Sequence, residues 1–120
     1  MSLIGPDFVA LQVRDPETSA RFWEGRLGLV RAERSPPDAV LFDTRPVPFA
    51  LRRPLVDLDA SDLPGHGVAL WFGAESVDTV HDEVVAHGLE VVRPLERGPF
   101  GRTFAFRDPD GYLITVHDAR

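Results

Sequence analysis

Residues 8–14 alternate in character: Val9, Leu11 and Val13 fall on one face, and Phe8, Ala10 and Gln12 on the other. A period of two predicts a strand, here covered by a helix on one side and turned toward a partly apolar cavity on the other. Asp15-Pro16 then reads as a helix start, with Asp15 as N-cap and proline at the first helical position, where no hydrogen bond is lost. Ala20, Trp23 and Leu27 recur at helical spacing, and Gly28 suits the left-handed stop. Three further strands are predicted over 29–33, 39–43 and 49–53, punctuated by Ser35-Pro36-Pro37-Asp38 and Arg45-Pro46-Val47-Pro48.

The same order returns in the second half. Val9-Ala10-Leu11 recurs 59 residues later as Val68-Ala69-Leu70, and Leu27-Gly28-Leu29 has a counterpart 60 residues on in His87-Gly88-Leu89. A strand over 67–72 precedes a helix over 76–87, with Val77, Val80 and Val84 inward and Gly88 as its stop. Strands over 90–94, 102–107 and 112–117 complete it. An internal repeat means one supersecondary unit used twice. The prediction is therefore an α+β chain forming a single domain over 1–120. Two βαβββ modules, about 7–54 and 66–118, are joined by a linker at about 55–65 that carries Asp57, Asp59, Asp62 and Pro64. Asp108-Pro109-Asp110-Gly111 lies between two alternating runs and reads as a tight turn, which already accounts for both aspartates.

Composition narrows the chemistry. The chain has no cysteine, which removes disulfides, thiolate nucleophiles and cysteine metal ligands. All 13 basic residues are arginine, so neither a Schiff base nor a lysine general base is on offer. A net charge of −6 argues against nucleic acid as a partner. No apolar run approaches the roughly 20 residues that span a bilayer, and Met1–Pro6 lacks the basic start of a signal peptide. The expectation is a cytoplasmic protein with no membrane partner.

The doubled βαβββ order, the Asp15 helix start, Phe22-Trp23 followed by Arg26-Leu27-Gly28-Leu29, and the Asp108-Pro109-Asp110-Gly111 turn together resemble the vicinal oxygen chelate superfamily. That superfamily groups glyoxalase I, extradiol dioxygenases, fosfomycin-resistance enzymes and bleomycin-resistance proteins. The likeness covers residues 7–118, and Gly98-Pro99-Phe100-Gly101-Arg102 is most similar to the metal-free bleomycin-resistance branch. The resemblance implies modules curled into a cup-like mixed sheet, a homodimer, and, in catalytic members, a divalent metal held by His, Glu or Gln from both modules. The positions it assigns to those ligands are Phe8, Gly67, approximately Ala50, and Thr115. None is an ordinary side-chain ligand, so no metal and no cofactor are expected. His66, one residue before Gly67, and His117, on the Thr115 face, are the residues that could restore a metal. His81 and His87 fall on the second helix and read as surface residues.

With these strand faces, the predicted ligand site comprises Phe8, Ala10, Gln12, Gly67, Ala69, Trp71, Thr115 and His117, with Phe100 and Arg102 approaching from the late loop. Aromatic walls, small residues and a few polar groups are the makeup of a small-molecule pocket. Three functions fit. The first is metal-free binding of an aromatic or amphipathic metabolite or antibiotic, without turnover. The second is a lyase, isomerase or dioxygenase of the same superfamily, using a non-standard metal or His117 as acid and base. The third is an interaction module whose cup is filled by Phe8 and Trp71. The vacant ligand positions favour the first.

Overall fold

In a computed structural model that describes residues 2–99 and 101–118, the chain forms two compact units, 1–60 and 61–120. Unit 1 contains strand β1 (Val9–Gln12), helix α1 (Pro16–Gly25), and strands β2 (Ala39–Phe42) and β3 (Phe49–Arg52). A short 3-10 turn at Leu58–Ala60 closes it. Its sheet has the order β1-β3-β2, with β1 parallel and β2 antiparallel to β3.

Local chemistry sets α1 as the residues predict. Asp15 stands extended at the N-cap, accepts from the Glu17 backbone N–H at 3.2 Å and from Thr18 Oγ1 at 2.8 Å, and is followed by proline. The Thr18 hydroxyl, as the main cause, holds its carboxyl below the ordinary aspartate range. The helix presents Ala20, Phe22 and Trp23 to the sheet, and the Trp23 ring meets Phe49 edge-on with centroids 5.1 Å apart. Register places Phe49 beside Val9 and Phe42, and Leu51 beside Leu11 and Val40, so one sheet face is the core beneath α1. Arg31 ties this layer from outside, pairing with Glu17 and, at 3.1 Å, with Glu24 of α1.

One predicted strand, 29–33, does not form. Only an isolated bridge joins Arg31 to Phe42, with the Ala32 N–H donating to Leu41 O at 2.9 Å and the Asp43 N–H to Val30 O at 2.8 Å. The reason is local competition. Ser35 Oγ accepts the Leu41 N–H at 3.0 Å, which is the donor a continuing ladder needs, and Pro36-Pro37 then turns the chain away.

Unit 2 contains β4 (Leu70–Ala74), α2 (Val77–Ala86), β5 (Val91–Gly98), β6 (Gly101–Arg107) and β7 (Leu113–Asp118). The sheet order is β4-β7-β6-β5, with β4 parallel to β7 and the remaining pairs antiparallel. Ser76 caps α2 by accepting the Thr79 N–H at 3.2 Å. The helix packs on Phe104, Phe106, Ile114 and Val116, and His81 lies against Phe104 with ring centroids 5.1 Å apart. Strand β4 begins three residues later than the periodicity predicts. Consecutive turns, His66 N–H to Leu63 O at 3.1 Å and Val68 N–H to Gly65 O at 2.9 Å, hold residues 63–68 out of the sheet. Gly67 and Ala69 therefore precede the strand. Strand β5, conversely, runs past Pro94 because register shifts on either side of Arg93 absorb the proline, which cannot donate to a ladder.

Candidate functional site

Each sheet has one face under its helix and one face without it. In unit 2 the helix-free face follows from register. Trp71 pairs with Thr115, Thr115 with Ala105, and His117 with both Gly73 and Thr103, so these residues share a face opposite Phe104 and Val116. Trp71 is 50% exposed although Thr115 beside it is buried. The indole therefore keeps half its own surface accessible on a face whose neighbouring residue is buried. The His117 ring meets Trp71 edge-on at a centroid distance of 5.7 Å. Three of the predicted ligand residues, Trp71, Thr115 and His117, are thus brought together. The polar groups around them are committed inward: Thr103 Oγ1 donates to Val116 O at 2.8 Å, and His117 Nδ1 lies 3.0 Å from Asp118 O.

In unit 1 the helix-free face carries Ala10 beside Ala50, Leu41 on the other side of Ala50, and Gln12 beside Arg52. Phe8 stands just before β1 and is 48% exposed. Gln12 has a structural duty: its Oε1 accepts the Leu55 N–H at 2.6 Å and fixes the chain after β3. Arg14 does the same further on, reaching Asp59 at 2.8 Å.

Arg102 departs from its predicted place. It alternates with Thr103 along β6, so its side chain lies on the helix side, where Nε donates to Asp78 Oδ1 of α2 at 2.7 Å. Residue 102 falls in the predicted strand 102–107, and alternation from Phe104 and Phe106 carries its side chain to their face rather than to the ligand side. Its ion pair is surface-exposed, so Arg102→Ala should lower stability by no more than about 1 kcal/mol in urea unfolding. Phe100, Arg102's companion in that prediction, lies outside the described residues. His66 is exposed in the turns before β4, and His87 caps the C-terminus of α2.

A feature the sequence did not single out is the burial of the Asp108 carboxyl. Oδ1 accepts N–H groups from Asp110 at 3.0 Å and Tyr112 at 2.8 Å, while Oδ2 is buried without a hydrogen-bond partner. Desolvation, with the nearby Asp110 charge, pushes its pKa up to about 7. The turn itself forms as expected, with the Gly111 N–H donating to Asp108 O at 2.9 Å.

Compared with known proteins, residues 5–116 match the family model of the Glyoxalase/Bleomycin resistance protein/Dioxygenase superfamily. The chain belongs to this superfamily. Among solved structures, a protein of unknown function from Agrobacterium tumefaciens str. C58 is 28% identical, with TM-score 0.74, over 100% of this chain and 95% of that one. A glyoxalase-related enzyme from Fulvimarina pelagi shares the fold at 22% identity and TM-score 0.74, covering 98% and 89%. TioX from Micromonospora sp. ML1 does so at 24% identity and TM-score 0.71, covering 95% and 98%. No functionally curated protein matches the chain.

The metal that catalytic members of the Glyoxalase/Bleomycin resistance protein/Dioxygenase superfamily hold does not suit the donors here. At the positions that the sequence resemblance assigns to metal ligands, Phe8, Gly67 and approximately Ala50 supply no side-chain donor atom, and a threonine hydroxyl at Thr115 is a weak ligand for a divalent ion. Among the described residues, no group of three or more His, Asp or Glu side chains is placed to hold a metal ion. No helix among them is long and apolar enough to cross a membrane.

Proposed function

We propose that the chain is a metal-free binder of a small aromatic or amphipathic molecule, held on the helix-free face of unit 2 without turnover. The observation that carries this reading is Trp71, a large apolar ring half exposed beside an imidazole on a sheet face. A side chain of that size in that position offers burial to a flat partner. Thr115 pairs with Trp71 across β4 and β7, and Ala69 is proposed to border them. The donor chemistry at the four metal-ligand positions supports binding over metal catalysis. Superfamily membership supports a homodimer, which light scattering checks as twice the chain mass, and the composition supports a cytoplasmic location.

The test uses the natural asymmetry of the two tryptophans. Trp23 is buried in unit 1 and Trp71 is half exposed. Titration with 2-naphthol is expected to quench the exposed tryptophan saturably, and a chelator should leave the titration unchanged. Trp71→Ala should weaken binding at least tenfold, equivalent to about 1.4 kcal/mol, while the far-ultraviolet dichroism stays native. Affinity that survives Trp71→Ala would remove this face as the site. Binding abolished by chelation would overturn the metal-free reading.

A further inference from the structure

His117 Nδ1 sits 3.0 Å from the backbone carbonyl of Asp118. A carbonyl oxygen has no hydrogen to give, so the ring nitrogen is the donor, and in the neutral imidazole the proton resides on Nδ1. Nε2 then carries a lone pair, and among the described residues it has no hydrogen-bond partner. The carbonyl that sets this tautomer is itself held. Asp118 ends β7 beside Ala74 of β4, and its carboxylate Oδ2 accepts the Arg102 N–H of β6 at 2.7 Å. Trp71 restricts the ring from one side, with centroids 5.7 Å apart. The imidazole is therefore oriented as an acceptor next to an exposed indole.

We infer that the ligand of this face is a planar aromatic molecule bearing a hydrogen-bond donor, a phenolic O–H or a heteroaromatic N–H, which it gives to His117 Nε2 while its ring lies against Trp71. This inference rests on the binding role proposed for the face and adds the ligand's class. A neutral acceptor discriminates by polarity. A donor finds its complement, whereas an ether or carboxylate oxygen in the same place sets two lone pairs against each other and leaves the imidazole desolvated and unpaired. The Thr103 hydroxyl, opposite His117 on this face, supplies no competing signal, because it is spent on Val116 O. Asp118 acts here as a positioning residue, through its carbonyl and its bond to Arg102, and does not touch the ligand.

Two measurements on the intact protein in mildly alkaline buffer decide it. Nitrogen-15 NMR of the His117 ring is expected to show the Nδ1–H tautomer. Fluorescence titration is expected to show 2-naphthol binding about tenfold more tightly than 2-methoxynaphthalene, which has the same ring but no donor. In His117→Phe, which keeps an aromatic ring against Trp71, the two probes should bind alike, with 2-naphthol falling to the level of its ether. Equal affinities for the wild-type protein, or an Nε2–H tautomer, would overturn the assignment of ligand class and leave the binding role standing. Failure of both probes to bind saturably would overturn the class and the binding role together.

Discussion

Replacing Asp108 with asparagine is expected to remove a fall in stability between about pH 4 and pH 7 that burial of this carboxyl imposes. The carboxyl is 3% exposed, one oxygen is buried without a partner, and desolvation is the main cause raising its pKa to about 7 from the ordinary aspartate value of 3.8. Below the unfolded value the group is neutral in both states and contributes no slope. As pH rises, the unfolded chain releases this proton first and gains free energy that the folded chain cannot match until about pH 7. Stability due to this group is therefore present at low pH and lost across that window. The full loss is on the order of 4 kcal/mol, a large share of the roughly 5–15 kcal/mol that holds a domain together. Asparagine keeps the acceptor for the Asp110 and Tyr112 N–H groups and never ionises. Urea unfolding should show the variant more stable than the wild type by a few kcal/mol at about pH 8 and level with it near pH 4. Asp15 and Glu17 work in the opposite direction. Hydrogen bonds from Thr18 and Arg31 lower their pKa values, so what they contribute is lost on acidification. Both lie on the surface, and their slope runs from the ordinary carboxylate range downward, opposite in sign to that of Asp108 and small beside it. Parallel pH profiles for wild type and variant would show that the folded carboxyl is solvated after all.

Most of the architecture was legible because it rests on local signals. Asp15-Pro16, the alternation around Leu11 and the Asp108–Gly111 turn each act within a few residues, and each forms where it was read. The errors share a physical origin. The strand at 29–33 was lost to a serine hydroxyl taking the Leu41 N–H, a side-chain competition that hydrophobic periodicity does not record. Letting Arg102 approach the ligand from the loop overlooks the alternation that already puts it on the face of Phe104 and Phe106, where its side chain meets Asp78 of α2. The aromatic pairing of Trp71 with His117 depends on parallel pairing between β4 and β7, whose partners lie 44 residues apart in sequence, which brings Gly73 opposite His117. No local pattern carries that register. The same holds for the Nδ1–carbonyl bond of His117, which no residue type announces.

Gly101→Ala is expected to lower stability by about 3 kcal/mol, whereas Gly67→Ala should lower it by about 1 kcal/mol. Both glycines hold positive φ, +92° and +93°, so an alanine at either incurs similar backbone strain. They differ in surroundings. A Cβ at Gly67 meets nothing within 4 Å, but one at Gly101 would collide with Asp118 Oδ2 and lie 3.0 Å from its Cγ and 3.1 Å from its Cβ. Rotating the carboxylate away does not suffice, because the Asp118 Cβ is already crowded. The end of β7 must shift, and the charge-assisted bond from Asp118 to the Arg102 N–H is lost with it. That shift also moves the Asp118 carbonyl that orients His117. The two variants therefore separate stability from ligand geometry. In urea unfolding Gly101→Ala should be the weaker protein by about 2 kcal/mol. Under conditions where both remain folded, Gly101→Ala should also lose the preference for 2-naphthol over 2-methoxynaphthalene, while Gly67→Ala should keep it. Equal destabilisation would mean that Asp118 does not pack against Gly101 in solution. A retained preference in Gly101→Ala would mean that His117 is oriented by something other than the carbonyl of Asp118.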